Sequence, residues 1–331
     1  LSLCLQFSPK SKILAKIGSN VQIKISLPIF AIKHVNMVDS SRFKLSPFAS
    51  ILLLLFLVAI GFVLFLAIGV LVAALITGNW EFTSLISGDA SSFQGLMALR
   101  IIQIFQTIGV FLFPALVFAI ILSKRPFAML GFKSANRDFF WLSAILMFFS
   151  MPAINLIASI NAEIPMPQWM VEMEQAAEAL TKAFMITENY GIFALNLLMV
   201  GVLPALGEEL FFRGVLQKFF CKQLGSNFLG VVLTALIFSA VHLQFQGFIP
   251  RFLLGMVFGY LFVWTGSIWI PILMHFINNS LAVMVYFMIG RGLIPAETDT
   301  IGGLAELWQM GVISLVISVV LLWVIRKKAV T

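Results

Sequence analysis

Eight apolar runs of roughly twenty residues dominate this chain and leave it little choice of architecture. They fall at about 48–77, 97–122, 139–160, 191–213, 226–245, 248–265, 268–290 and 307–325. Runs of that length match the ~30 Å hydrocarbon core of a bilayer. Lipid satisfies no backbone hydrogen bonds, so a chain inside it must form helices or close into a barrel. A barrel would read as alternating segments of about ten residues, and those are absent. Only 11% of the residues are charged, against about 25% in an ordinary soluble domain. The expectation is an all-α polytopic membrane protein with about eight transmembrane helices.

The net charge of +7 does not point to nucleic acid, because the basic residues lie in short loops and at the two ends. Arg42 and Lys44 precede the first run; Lys124, Arg125, Lys133 and Arg137 follow the second. Lys218 and Lys222 follow the fourth, and Arg326, Lys327 and Lys328 follow the last. Eight crossings put all of these on one side, and the positive-inside rule makes that side the cytosol, with both termini in it. In a bacterial cell the membrane would be the plasma or inner membrane. The 161–190 connection carries Glu163, Glu172, Glu174, Glu178 and Glu188 against Lys182. Within it, Trp169, Met173, Ala176, Ala177, Leu180 and Phe184 recur at helical spacing after Pro165 and Pro167. That predicts an amphipathic helix, lying on the membrane interface or packed as a lid on the bundle.

Residues 1–38 hold five lysines and no acid, without the apolar core of a signal peptide. Met37 makes a better start, so 1–36 reads as an upstream extension or a basic tail. Cys4 and Cys221 cannot form a disulfide framework, and Cys221 is expected to be a free thiol. The organisation expected is a basic tail over 1–46 and membrane helices with the amphipathic loop helix over 47–190. A polar core follows over 191–290, then a last helix and basic tail over 291–331.

The polar core carries the chemistry. An ionisable group within a membrane span costs roughly 2.5–3.5 kcal/mol on insertion scales. Even so, Glu208, Glu209, His242 and His275 all fall in apolar runs. Glu209 and Arg213 are four apart, share a helix face and suit an ion pair. Glu208 points about 100° away and is free for general-base work. His275 and Asn279 are also four apart and present an imidazole and an amide together. Each feature alone has a structural explanation: snorkelling acids, a hydrogen-bonded histidine, an asparagine that joins helices. Together they must satisfy one another or trapped water.

Glu-Glu-x-x-x-Arg at 208–213, Phe-x-x-x-His at 238–242 and His-x-x-x-Asn at 275–279 resemble the three motifs of the CAAX-protease and bacteriocin-processing (CPBP, or Abi) intramembrane proteases. That family includes the Ras-converting type II CAAX prenyl endopeptidases, and the likeness covers about residues 190–285. The resemblance implies that Glu208 and His242 activate a water molecule and that His275 and Asn279 stabilise the oxyanion. Glu209 and Arg213 would give structural support. It also implies a peptide or protein substrate with a hydrophobic or lipidated segment, within membrane lipid. No cofactor is favoured; the alternative is Zn²⁺ held by Glu208, His242 and His275, although no His-Glu-x-x-His helix is present. Depth sets a condition: Glu208 meets His242 only if its helix continues past Arg213 towards Cys221. Competing readings are a proton-coupled transporter and a non-catalytic immunity or scaffold protein. No Gly-x-Ser-x-Gly segment occurs, and Gly88-Asp89 falls in a polar loop.

Overall fold

The computed structural model describes residues 42, 43, 45–81, 85, 92–296, 298, 301–305 and 307–330. The expectations for residues 1–36, for Lys44 and for Gly88-Asp89 lie outside the described residues. Those described fall within one compact unit, 34–331.

The helices in chain order are α1 (Pro47–Thr77), α2 (Phe93–Leu122), α3 (Pro126–Leu130), α4 (Arg137–Ala162) and α5 (Gln168–Met185). They continue with α6 (Tyr190–Leu224), α7 (Asn227–Ala240), α8 (Phe248–Thr265), α9 (Trp269–Gly290) and α10 (Trp308–Val330). Among the described residues no strand forms. Seven helices are long and apolar enough to cross a bilayer: α1, α2, α4, α6, α8, α9 and α10. The eighth expected span, 226–245, is α7, which has only 14 residues. At 1.5 Å per residue it is about 21 Å long, short of the hydrocarbon thickness. The chain is an all-α, multi-pass integral membrane protein, and its exposed surface on α1 and α10 is largely Leu, Ile, Val and Phe.

Two contacts between helices show how the bundle closes. A Cβ on Gly61 of α1 would lie 2.0 Å from the Gly109 carbonyl oxygen of α2. The two backbones touch, which only residues without a side chain allow. On the other side, Pro152 interrupts α4, where proline removes an N–H and crowds the preceding turn. Ser314 of α10 fills the break: its Oγ accepts the Ala153 N–H at 3.0 Å and donates to the Phe149 carbonyl. Ser150 and Ser318 add a 3.0 Å hydroxyl contact beside it. Leu210, Phe212, Val215 and Leu216 of α6 pack with Phe118, Phe262 and Ile268 in one core cluster. Phe258, Ile270 and Met274 pack with Leu146, Met147 and Ile325 in a second. The polar residues of α6 and α9 lie beside these clusters.

Candidate active site

Helix α6 is uninterrupted from Tyr190 to Leu224, so it does continue past Arg213 and Cys221. It is not uniform. Its bonding widens to i→i+5 at Leu197–Val202 and at Leu210–Gln217, with ordinary α turns at Leu203–Glu209 between them. Such widened turns concentrate at functional sites. Pro204 accounts for the first. It offers no N–H to the Val200 carbonyl four residues back, and its ring crowds that oxygen. Asn279 of α9 meets the need: its Nδ2 donates to Val200 O at 2.8 Å. The amide is braced further by Asn278 Nδ2, 3.0 Å from Asn279 Oδ1. One Asn279 N–H is therefore committed to the backbone.

The expected ion pair forms. Arg213 Nη1 lies 2.7 Å from Glu209 Oε1, with both side chains fully buried. The guanidinium also donates to Gly255 O at 3.2 Å and stands 4.7 Å over the Phe238 ring. The same Glu209 oxygen receives His275 Nδ1 at 2.8 Å. This link joins two motifs that are 66 residues apart in the chain. A carboxylate can only accept, so Nδ1 of His275 carries a proton and Nε2 faces the cavity.

His242 departs from expectation. It sits in the turn after α7 instead of inside a span, because α7 ends at Ala240 and Leu243 takes a left-handed φ of 53°. Its Nδ1 is 2.8 Å from Phe238 O, and a carbonyl can only accept. Nδ1 therefore holds the proton and Nε2 is the basic nitrogen. Burial first, and then the charge of Arg251, push the imidazole down to about 4, against the opposing effect of the Phe238 carbonyl. The ring is neutral at physiological pH.

The three motifs converge on one atom. Glu208 Oε2 is 4.0 Å from His242 Nε2 and 3.9 Å from His275 Nε2. It is buried and has no hydrogen-bond partner. These gaps are too long for direct hydrogen bonds and suit an oxygen atom placed between the groups. They suit zinc less well. Ligands about 2.05 Å from a tetrahedral ion stand about 3.3 Å apart. The edges here are more than half an ångström wider, and no group of three such residues among those described is arranged to hold a metal. The carboxylate-bound His275 is a ring orientation that metal sites also use, but as arranged the donor set does not fit zinc, and no step below passes through a metal.

These groups line a cavity of about 540 Å³. Several of its builders carried no signal in the sequence. The non-helical segment 241–247 needs partners for its backbone, and polar side chains supply them. Glu174 Oε2 accepts the N–H of Phe245 at 2.7 Å and of Gln246 at 3.3 Å. Asn161 donates to Phe245 O at 2.9 Å and accepts the Ile249 N–H at 3.0 Å. Helix α5 is thereby a roof: Thr181, Phe184 and Met185 line the cavity. Its inward face runs through Glu174, Ala177, Thr181 and Phe184; Ala177 and Phe184 belong to the apolar face expected, whereas Trp169, Met173 and Leu180 of that face are exposed. The need to place Glu174 against the 241–247 backbone sets this rotation. At its far end Arg100 and Asn196 both donate to Phe184 O, at 2.8 and 2.7 Å. Cys221 is unpaired.

Residues 190–281 match the Rce1-like family, described as type II CAAX prenyl endopeptidase Rce1-like. An uncharacterized 24.3 kDa protein of Escherichia coli is 30% identical over 94 residues, 27% of this chain and 43% of that protein. The uncharacterized protein YpbD of Bacillus subtilis is 30% identical over 89 residues, 26% of this chain and 42% of that protein. The chain thus spans less than half the length of either curated relative. No solved structure matches. The match to the Rce1-like, type II CAAX prenyl endopeptidase family spans residues 190–281 and takes in Glu208, His242, His275 and Asn279.

Proposed function

We propose that this protein is an intramembrane endopeptidase that hydrolyses peptide bonds of membrane-associated proteins or peptides with a glutamate- and histidine-activated water. The observation that carries the reading is the partnerless Glu208 Oε2, buried midway between two imidazole Nε2 atoms. A water between Glu208 and His242 donates one O–H to each acceptor and turns a lone pair to the substrate carbonyl carbon. As the C–O bond forms, Glu208 takes the proton. It then delivers that proton to the amine nitrogen when the C–N bond breaks.

The oxyanion needs donors. The second N–H of Asn279 is one. His275 presents Nε2 to the same space, its ring held in place by the Glu209 carboxylate at Nδ1. Each such donor contributes about 2.7–4 kcal/mol to the transition state. Substrates of this class carry a hydrophobic or lipidated segment; lipidated C-terminal tails and hydrophobic leader peptides are both within the proposal.

The test is cleavage of membrane-anchored peptides by the protein in proteoliposomes, with Glu208→Ala and Glu208→Gln alongside and with and without a chelator. The expected result is a loss of about 10²–10⁴ in kcat for both variants, with activity unaffected by chelation. Equal cleavage by wild type and variants removes the assignment. Chelator sensitivity restores the zinc alternative at Glu208, His242 and His275. A scaffold would keep its cellular phenotype in Glu208→Gln, and a protease would not.

A further inference from the structure

Arg251 is the one lysine or arginine among the described residues lining the cavity, and the hydrolytic reading gives it no role. It sits in the first turn of α8, directly after the segment that carries His242. Its charge acts on both Glu208 and Glu174, yet it forms no ion pair among the described residues. Membrane proteins seldom keep a cation at a cavity wall without such a partner.

The segment is shaped around this guanidinium. Nη2 donates to Gln244 Oε1 at 2.8 Å and Nη1 donates to Gln244 O at 3.3 Å. One residue thus holds both prongs of the fork. Gly247 leaves the room: a Cβ there would fall 2.6 Å from Nη2. Its φ of −90° is open to any residue, so the absence of a side chain serves space and not backbone conformation. Gln244 engages two of the five N–H donors of the guanidinium. Among the described residues the guanidinium makes no other hydrogen bond or ion pair, which leaves its remaining N–H donors for a ligand. An oriented, incompletely used fork matches the two oxygens of a carboxylate.

We propose that Arg251 is the receptor for a carboxylate of the substrate, so that the cavity selects peptides with a negative charge close to the bond that is cut. This deepens the endopeptidase reading and rests on it for the word substrate. The remaining chemistry of the wall is consistent with one carboxylate on an otherwise apolar segment. Ile154, Phe184, Met185 and Leu254 share the lining with Arg251, and a volume of about 540 Å³ is in the range of small-ligand sites and not of folded partners. An incoming carboxylate must also be held against the charge of Glu208, which no neutral donor does as well. Arg251 is then a specificity-determining residue, acting on binding more than on the chemical step. The carboxylate has two sources, a free C-terminus or an acidic side chain.

The test has a binding arm and a cleavage arm. The probes are short hydrophobic peptides in three matched forms: a C-terminal acid, the carboxamide, and a carboxamide carrying an internal glutamate. Binding to the purified protein in detergent is read by thermal shift, for wild type, Arg251→Met, Arg251→Lys and Gly247→Ala. The expected result is that wild type binds a carboxylate form about ten-fold or more tightly than the plain carboxamide. Arg251→Met abolishes that preference, Arg251→Lys retains part of it, and Gly247→Ala, which displaces the fork and keeps its charge, reduces it. Preference for the acid assigns the free C-terminus, and preference for the glutamate form assigns the side chain. Equal binding of all three forms by wild type, binding of none, or an undiminished preference in Arg251→Met overturns the inference. In the cleavage arm the same preference is expected in KM, with kcat changed less. Cleavage of acid and amide with equal KM overturns the inference and leaves the endopeptidase reading standing. Carboxylate-selective, Arg251-dependent binding without any cleavage supports the receptor and removes the endopeptidase reading.

Discussion

At the scale of residues, the site separates into groups held rigid and one group left without a partner. Arg213, Glu209 and His275 form a closed chain through a single carboxylate oxygen, and a buried charge that loses its partner is costly, about 3–5 kcal/mol. Arg213→Met is expected to destabilise by that order in thermal or chemical unfolding of the detergent-solubilised protein. Adding Glu209→Gln to it is expected to recover part of the loss, because no lone carboxylate is then left buried. A double variant no more stable than Arg213→Met would mean that the pair is not energetically coupled. His242 provides the pH prediction. Its imidazole is pushed down to about 4 from an ordinary 6.5, mainly by burial and then by Arg251. The unfolded chain therefore binds more protons between those values. Stability from this group is full above about 6.5 and is lost as the pH falls through about 4. The basic Nε2 stays available down to the same pH. Arg251→Gln removes the second cause and should move the His242 titration upward, as followed by histidine NMR in nanodiscs. A titration that stays put or moves down contradicts this account.

At the scale of elements, α6 owes its reach to its irregularity. The widened turns on either side of Leu203–Glu209 set the rotation of Glu208 relative to His275. Pro204→Ala restores the missing N–H to Val200 O and competes with Asn279 for it. The expected outcome is an unchanged or raised unfolding temperature together with a drop of about 10² in kcat, since misplacement by about 1 Å costs that much. Unchanged kcat would mean that the proline does not position the site. The 241–247 segment is the second irregular element, and Glu174 holds it from α5. Glu174→Ala orphans two N–H groups, at about 1–3 kcal/mol for a buried donor, and loosens His242. Glu174→Gln keeps an acceptor at the same place and is expected to recover most of the activity. Equal loss in both variants would point to the charge of Glu174 instead of its hydrogen bonds.

At the scale of the whole molecule, the site is built by packing remote from it. The α1–α2 contact at Gly61 and Gly109 and the α4–α10 clasp at Ser314 let helices approach backbone to backbone. Gly61→Ala puts a methyl group 2.0 Å from a carbonyl oxygen, and the helices must part. Overpacking of this kind costs about 1–3 kcal/mol. The loss is expected in unfolding of the solubilised protein, with KM for any cleaved peptide unchanged, because the contact lies away from the cavity. A large KM effect without loss of stability would instead tie α1 to substrate entry.

Local periodicity made much of this legible in the chain. Seven of the eight expected spans followed from apolar length, because hydrocarbon thickness sets a fixed demand on helix length. The Glu209–Arg213 pair and the shared face of His275 and Asn279 followed from 3.6 residues per turn, which holds wherever a helix forms. Tertiary structure decided what periodicity does not encode. The convergence of two Nε2 atoms on Glu208 depends on three elements separated by dozens of residues. The short α7, the placement of His242 outside it, and the rotation of α5 all follow from one demand. Backbone polar groups of an irregular segment must find partners where water is scarce, and Asn161 and Glu174 provide them from other parts of the chain and Arg251 from the helix that follows.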